Sequence, residues 1–330
     1  MSQSEVVHFE VVDSERNAPL LARCTARGTR LAPWVEANRE LLDGHLRTHG
    51  AILFRGFEVR AQRDFEEFSE QLSPARLSYV YRSTPRSSVG ANVYTATEYP
   101  PPEVIPLHCE NAYQRDWPMK LMFYCAQPAV KGGATTLASI RRVTQRLGPE
   151  LLQRFAERKV MYVRNYGSGV DLPWEVVFQT KERSEVERFC QEQGIDFEWK
   201  QDGGLRTRQV CQGVAEHPQT GETLWFNQAH LFHVSSVGAA ARQSLQELFG
   251  EEGLPRNARF GDGSPIPEEV LEQVREAFRV ECIEYPWQRG DVLLVDNMLA
   301  AHGRSPYSGP RRVLVAMSEP YSAARRQARA

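Results

Sequence analysis

From Val160 onward the chain carries a series of short strand-like runs: "VMYVRNYG", "EVVFQT", "TRQVCQGVAEH", "TLWFNQAH", "DVLLVDNMLAAHGR" and "RRVLVAMS". Their spacing constrains the fold more than any other feature. "HPQTGE" between the third and fourth runs reads as a hairpin turn. "SEVERFCQEQG" and "IPEEVLEQVREAF" are helices inserted among the strands, the second started by Pro267 and two acids. Such an order is not the alternation of a parallel α/β sheet. It predicts a mainly β fold with helices: a jelly-roll sandwich with an N-terminal α/β layer.

That layer is read from "APWVEANRELLDGHLRTHG", a helix ending in a glycine stop, the strand "AILFRGF" and a second helix "AQRDFEEFSEQLS". Residues 1–30 read as an N-terminal extension and 321–330 as a disordered tail. Between Ser83 and Pro106, turn residues and the run "EYPPPEVIP" predict a long loop bordering a site. "KLMFYCA" and the end of "KGGATTLAS" are strands, and "SIRRVTQRLGPELLQRFAER" is a helix. No compositional break divides the 330 residues, so one domain is expected over 1–330.

Composition excludes several classes. The net charge of −2 gives no electrostatic reason to expect nucleic acid or a membrane surface as partner. Six scattered cysteines without CxxC spacing, and no signal peptide, predict reduced thiols in a cytoplasm.

Chemistry gathers at "LHCENAY". His108 and Glu110 stand two residues apart, and in extended backbone they share a face while Cys109 turns away. A core hydrogen-bonded couple, a salt bridge and a pair of metal ligands are all open readings. His302, after an apolar strand, is a third ligand candidate. Two histidines and a carboxylate are the ligand set of non-haem Fe(II) oxygenases, and the same count suits catalytic zinc.

Ten residues after His302 stands Arg312, a costly buried cation if it faces inward without an anion. Its guanidinium is suited to gripping a carboxylate through two parallel bonds, and Thr135 in "KGGATT" offers a further hydroxyl. An open metal beside such a clamp fits a 2-oxo acid with a distal carboxylate, 2-oxoglutarate.

These segments together resemble the taurine-dioxygenase superfamily of Fe(II)/2-oxoglutarate-dependent oxygenases over about residues 32–320. The syringomycin-pathway aspartyl hydroxylase branch is nearest. "LHCENAYQRDWPMKLMFYCAQPAVKGGATTLAS", "LWFNQAHLFHVSS" and "WQRGDVLLVDNMLAAHGRSPYSGPRRVLVAM" carry the resemblance. It implies a double-stranded β-helix core, with iron on His108, Glu110 and His302. It implies Thr135 and Arg312 on 2-oxoglutarate, with Arg311 as the neighbouring candidate. Asn111 and Tyr113 would border the substrate pocket, and Asn227 would reach it. For Asn111 and Tyr113, capping and packing are equally open. His230 and His233 form an HxxH pair read as loop and core histidines, and Cys109 and Cys125 as packing residues.

The implied reaction consumes 2-oxoglutarate and O2 and hydroxylates an unactivated C–H, at Cβ of an amino acid. That substrate would be free or tethered to a peptidyl carrier protein, in secondary-metabolite biosynthesis of the non-ribosomal peptide type. Desaturation or cyclisation at the same centre, and a non-catalytic jelly-roll binding module, are the alternatives. Glu110 replaces the superfamily's usual Asp and argues against halogenation, which needs Ala or Gly there.

Overall fold

Val292–Asp296 lies at the middle of the larger sheet and is buried along its whole length. It pairs antiparallel with Ala51–Arg55 on one side and with Asp116–Gln127 on the other. Beyond the latter come Arg312–Ser322, Val93–Thr95 and Ser88–Gly90. A computed structural model describes residues 6–73, 81, 88–90, 93–96, 99–167 and 169–322. Part of the expected Ser83–Pro106 loop, and the tail from 323 on, lie outside the described residues.

The central strands are apolar on both faces because each face meets its own core. Ile52, Phe54, Met122, Tyr124, Val292, Leu294, Leu314 and Ala316 pack with Leu42, Leu46, Phe65 and Phe68 of the N-terminal helices. The alternate residues Leu53, Leu121, Phe123, Leu293, Val295, Val313 and Val315 turn the other way and meet Leu137 and Ala300. Those two belong to a four-stranded sheet ordered Ile283–Glu284, Thr135–Ser139, Ala300–Arg304, Ile105–His108. The two facing sheets form the expected jelly roll.

A third sheet, Asp196–Trp199, Leu205–Cys211, Val160–Tyr166 and Arg256–Phe260, packs into an aromatic-rich core that also takes in Leu107, Ala138 and Ala301 of the smaller sheet. Among the described residues, no helix is long and apolar enough to cross a membrane.

Several expectations need correction. Within the expected extension, Val7–Asp13 and Ala18–Cys24 are strands that pair with each other, and the second runs parallel to Ala51–Arg55, lengthening the larger sheet. "APWVEANRELLDGHLRTHG" is two helices, Leu31–Ala37 and Arg39–His49, parted at Asn38, whose side chain donates to the Trp34 carbonyl at 2.8 Å. "EVVFQT" lies largely in a short helix, Trp174–Phe178, following Pro173. Its valines suggested a strand, but Trp174, Val177 and Phe178 are buried together on helical spacing. Ala239–Gly253 is a helix with no buried side chain, so no apolar stripe announced it. Tyr321 and Ser322 belong to the last strand rather than to a tail.

The consequential correction is in "DVLLVDNMLAAHGR". It is two strands in two sheets, Val292–Asp296 and Ala300–Arg304. Asp296 makes the crossing: its Oδ1 accepts from the Met298 and Leu299 N–H groups at 3.0 and 3.1 Å. Its Oδ2 lies 3.1 Å from His217 Nε2.

Candidate metal centre

Ile105–His108 ends at the first ligand candidate, and Ala300–Arg304 carries the last at its centre. The antiparallel register sets His302 directly opposite His108, with ring centroids 4.5 Å apart. Glu110 enters from the turn after the first strand. Its Oε2 lies 3.7 Å from His302 Nε2 and 3.9 Å from His108 Nε2. The three donor atoms all lie within 4.8 Å of one another, and no other such group of three occurs among the described residues. These separations are too long for hydrogen bonds and suit donors converging on one ion.

The pleat is not what brings His108 and Glu110 together. The strand stops at His108, and Glu110 begins a turn in which Asn111 takes a φ of 58°. His108 Nδ1 sits 2.8 Å from the Pro106 carbonyl, which can only accept. The proton therefore resides on Nδ1, and the Nε2 lone pair faces Glu110 and His302. Glu110 and His302 are 4% and 5% exposed, so the centre is dry on their side.

Beside it opens a cavity lined by His108, His302, Phe123, Thr135, Arg304 and Arg311, with apolar residues completing the wall and no carboxylate among them. Thr135 is buried, and its Oγ1 accepts a 3.1 Å hydrogen bond from Trp287 Nε1. Arg311 Nε donates to the Gly133 carbonyl at 2.9 Å. Burial, and then the neighbouring positive charge of Arg304, push the Arg311 guanidinium down to about 10. Arg304 donates to the carbonyls of Tyr99, Pro100 and Glu103 at 3.0, 2.8 and 2.6 Å. The described part of the proline-rich loop thus borders the site.

Arg312 does not reach this cavity. Its side chain is exposed, and Nη2 contacts Gln62 Oε1 at 3.4 Å on the helix-covered side. Side chains two residues apart share a face, so Arg311 goes with Val313 and Val315, which line the cavity, and Arg312 goes with Leu314. The expected register is off by one.

The three substrate candidates are buried but are not among the cavity's lining residues. Tyr113 Oη donates to the Tyr81 carbonyl at 2.9 Å. Asn227 donates to the Gly213 carbonyl at 2.6 Å and accepts from the Ala229 N–H at 3.0 Å. Asn111 sits in the ligand turn. His230 stacks on Phe278 at 4.9 Å, and His233 Nδ1 lies 2.8 Å from Ser235 Oγ, in keeping with core and loop roles. Cys109 and Cys125 are unpaired, and burial raises both thiols, Cys125 to about 12. Trp287, Asn297 and Arg304 lie within a segment that carries the resemblance, but their roles at the site emerge only from the fold.

Residues 16–317 match the family described as "Taurine catabolism dioxygenase TauD, TfdA family". The chain is 41% identical over 279 residues to the dapdiamide synthesis protein DdaC of Enterobacter agglomerans, covering 84% of this chain and 85% of that protein. It is 34% identical over 294 residues to a clavaminate synthase-like protein of Arabidopsis thaliana, covering 86% of each. Among solved structures, PvcB of Pseudomonas aeruginosa is described as an Fe, alpha-ketoglutarate dependent oxygenase from an isonitrile synthetic pathway. It shares the fold at a TM-score of 0.54 and 16% identity, over 94% of this chain and 90% of that one. AAD-2, solved with Mn(II) and N-oxalylglycine, does so at 0.55 and 11%, over 94% and 96%.

Proposed function

This chain belongs to the taurine catabolism dioxygenase TauD, TfdA family and is an Fe(II)/2-oxoglutarate-dependent dioxygenase, and from that premise we propose that it hydroxylates an unactivated C–H, at Cβ, of an amino-acid substrate in secondary-metabolite biosynthesis. One observation carries the reading of the site. Three donors converge beside a cavity whose lining includes two of them, His108 and His302, together with two arginines and no acid.

The donor set fits iron: two imidazoles and one carboxylate on one side leave the other side open. In the proposed arrangement His108 Nε2, Glu110 Oε2 and His302 Nε2 hold the ion. Arg311 takes the place assigned to Arg312 from sequence and binds the distal carboxylate of 2-oxoglutarate. Trp287 occupies one acceptor site on Thr135, which directs the threonine's own O–H toward that carboxylate. Iron, when bound, couples conversion of 2-oxoglutarate and O2 to succinate and CO2 with replacement of one C–H by C–OH. The chain's task is to fix the cosubstrate, keep water out and aim one C–H.

A small-molecule substrate suits this buried centre. The similarity to a dapdiamide synthesis protein supports a role in biosynthesis, and the amino-acid reading rests on the resemblance carried by the sequence motifs. We place a carrier-tethered aminoacyl group ahead of a free amino acid, since contacts remote from the reacting carbon supply positioning energy. Anaerobic titration with Fe(II) and 2-oxoglutarate, followed by O2 and candidate amino acids presented free and as carrier thioesters, tests this. Succinate formation and a mass gain of one oxygen should run in parallel, faster for the thioester. A product two hydrogens lighter would replace hydroxylation by desaturation. Equal coupled turnover of the free amino acid would remove the carrier.

A further inference from the structure

Asn297 is fully buried at the point where the chain crosses from the larger sheet to the smaller one. Its carboxamide meets the backbone of Glu110 as another peptide group would. Oδ1 accepts from the Glu110 N–H at 2.7 Å, and Nδ2 donates to the Glu110 carbonyl at 2.9 Å. The second Nδ2 hydrogen goes to the Pro118 carbonyl at 2.8 Å. Its backbone N–H is tied to the Met119 carbonyl at 2.9 Å.

Glu110 lies in a turn, beyond the last paired residue of its strand, so no ladder holds its peptide groups. One side chain supplies both bonds a ladder would have given. Five residues further along the same chain stands His302, opposite His108. We propose that Asn297 is a positioning residue: it locks the carboxylate ligand to the crossing that leads into the strand carrying the distal histidine, so both reach the metal in register. This rests on the reading of Glu110 as a ligand. No other side chain of this size both accepts from one backbone N–H and donates to two carbonyls. Aspartate keeps the acceptor but has no hydrogens to give.

The test is anaerobic binding of Co(II) to the metal-free protein, read as affinity and as the visible absorption of the bound ion. Wild type, Asn297→Ser, Glu110→Ala and the double variant are compared. Asn297→Ser should weaken Co(II) by about 10- to 100-fold, the range for partners that orient ligands. Its spectrum should move toward that of Glu110→Ala. The double variant should bind within about twofold of Glu110→Ala alone, because Asn297 acts through that residue. Asn297→Asp should follow the same pattern and serves if the serine variant does not fold. Asp296→Asn, which disturbs the same crossing without touching Glu110, should lower thermal stability yet keep Co(II) affinity within about threefold.

Wild-type affinity in folded Asn297→Ser or Asn297→Asp would overturn the proposal. So would an undiminished loss added on top of Glu110→Ala, or an equal loss in Asp296→Asn. Wild-type affinity in Glu110→Ala would instead remove the ligand reading beneath it.

Discussion

Trp287 donates its indole N–H to the hydroxyl of Thr135 at 3.1 Å, and both residues are buried. The bond leaves the threonine one hydrogen to give, into the cavity that also holds Arg311. Thr135→Ala should weaken 2-oxoglutarate binding by about 1 kcal/mol, roughly fivefold. Trp287→Phe keeps the apolar bulk and frees the hydroxyl to point elsewhere, so it should cost two- to fivefold, about 0.5–1 kcal/mol. In Thr135→Ala the tryptophan change should add almost nothing. Calorimetry with Fe(II)-loaded protein under anaerobic conditions measures all three; additive losses would show that the two residues act separately.

Arg311 and Arg312 should behave in opposite ways. A charge-assisted pair in a site this buried is worth on the order of 2–5 kcal/mol, so Arg311→Ala should weaken 2-oxoglutarate by roughly thirtyfold to several thousandfold. Arg312 is exposed, with one 3.4 Å contact to Gln62, and Arg312→Ala should change affinity by less than about twofold. Iron affinity should hardly move in either. A large loss in Arg312→Ala alone would return the cosubstrate to the register read from sequence.

Glu110→Ala should abolish hydroxylation while leaving the fold intact, because the carboxylate lies 3.9 and 3.7 Å from the two imidazoles, beyond hydrogen-bond reach, and the residue's backbone is held by Asn297. Chelator should likewise remove activity, and Fe(II) but not Zn(II) should restore it, since zinc has no accessible redox change. Product analysis by mass spectrometry decides. Hydroxylated product from metal-loaded Glu110→Ala would show that the carboxylate is not needed as a ligand.

Which parts of this were readable beforehand depended on whether a residue's role left a local mark. The helix Glu268–Val280 announced itself through Pro267 and its acidic first turn, and "HPQTGE" joins its two strands as expected. The spacing of His108 and Glu110 left a core couple or a salt bridge open, and it was the resemblance over several segments that marked them and His302 as ligands; the structure does bring the three together. The crossing at Asp296 was not visible, because "LLVDNMLAA" is apolar on both sides of it and reads as one strand. The same uniformity hid the choice between Arg311 and Arg312. Val313–Met317 is buried on both faces, so no alternation of polar and apolar residues fixed which arginine turned inward. Trp287 and Asn297 act through contacts over 100 residues away in sequence, which no short-range pattern reports.

His230 offers a test of a different kind, through acid stability. The ring is fully buried against Phe278, and desolvation is the main cause that lowers its pKa to about 3, with the nearby charge of Arg275 adding to it. In the unfolded chain an imidazole takes up its proton near 6.5. Between those two values the unfolded state binds a proton that the folded state refuses, so stability falls as pH drops through the window and levels off below about 3. Each unit of that window is worth at most about 1.4 kcal/mol. His230→Phe keeps an aromatic ring on Phe278 and removes the proton site. The metal-free variant should therefore gain on wild type progressively from pH 6.5 downward, reaching a few kcal/mol near pH 3.5, while differing little from pH 7 to 8. Urea unfolding at a series of pH values isolates the effect, since every other titrating group is common to both proteins. A difference between the two that stays constant from pH 7 to 3.5 would mean that His230 takes its proton in the folded state as readily as in the unfolded one.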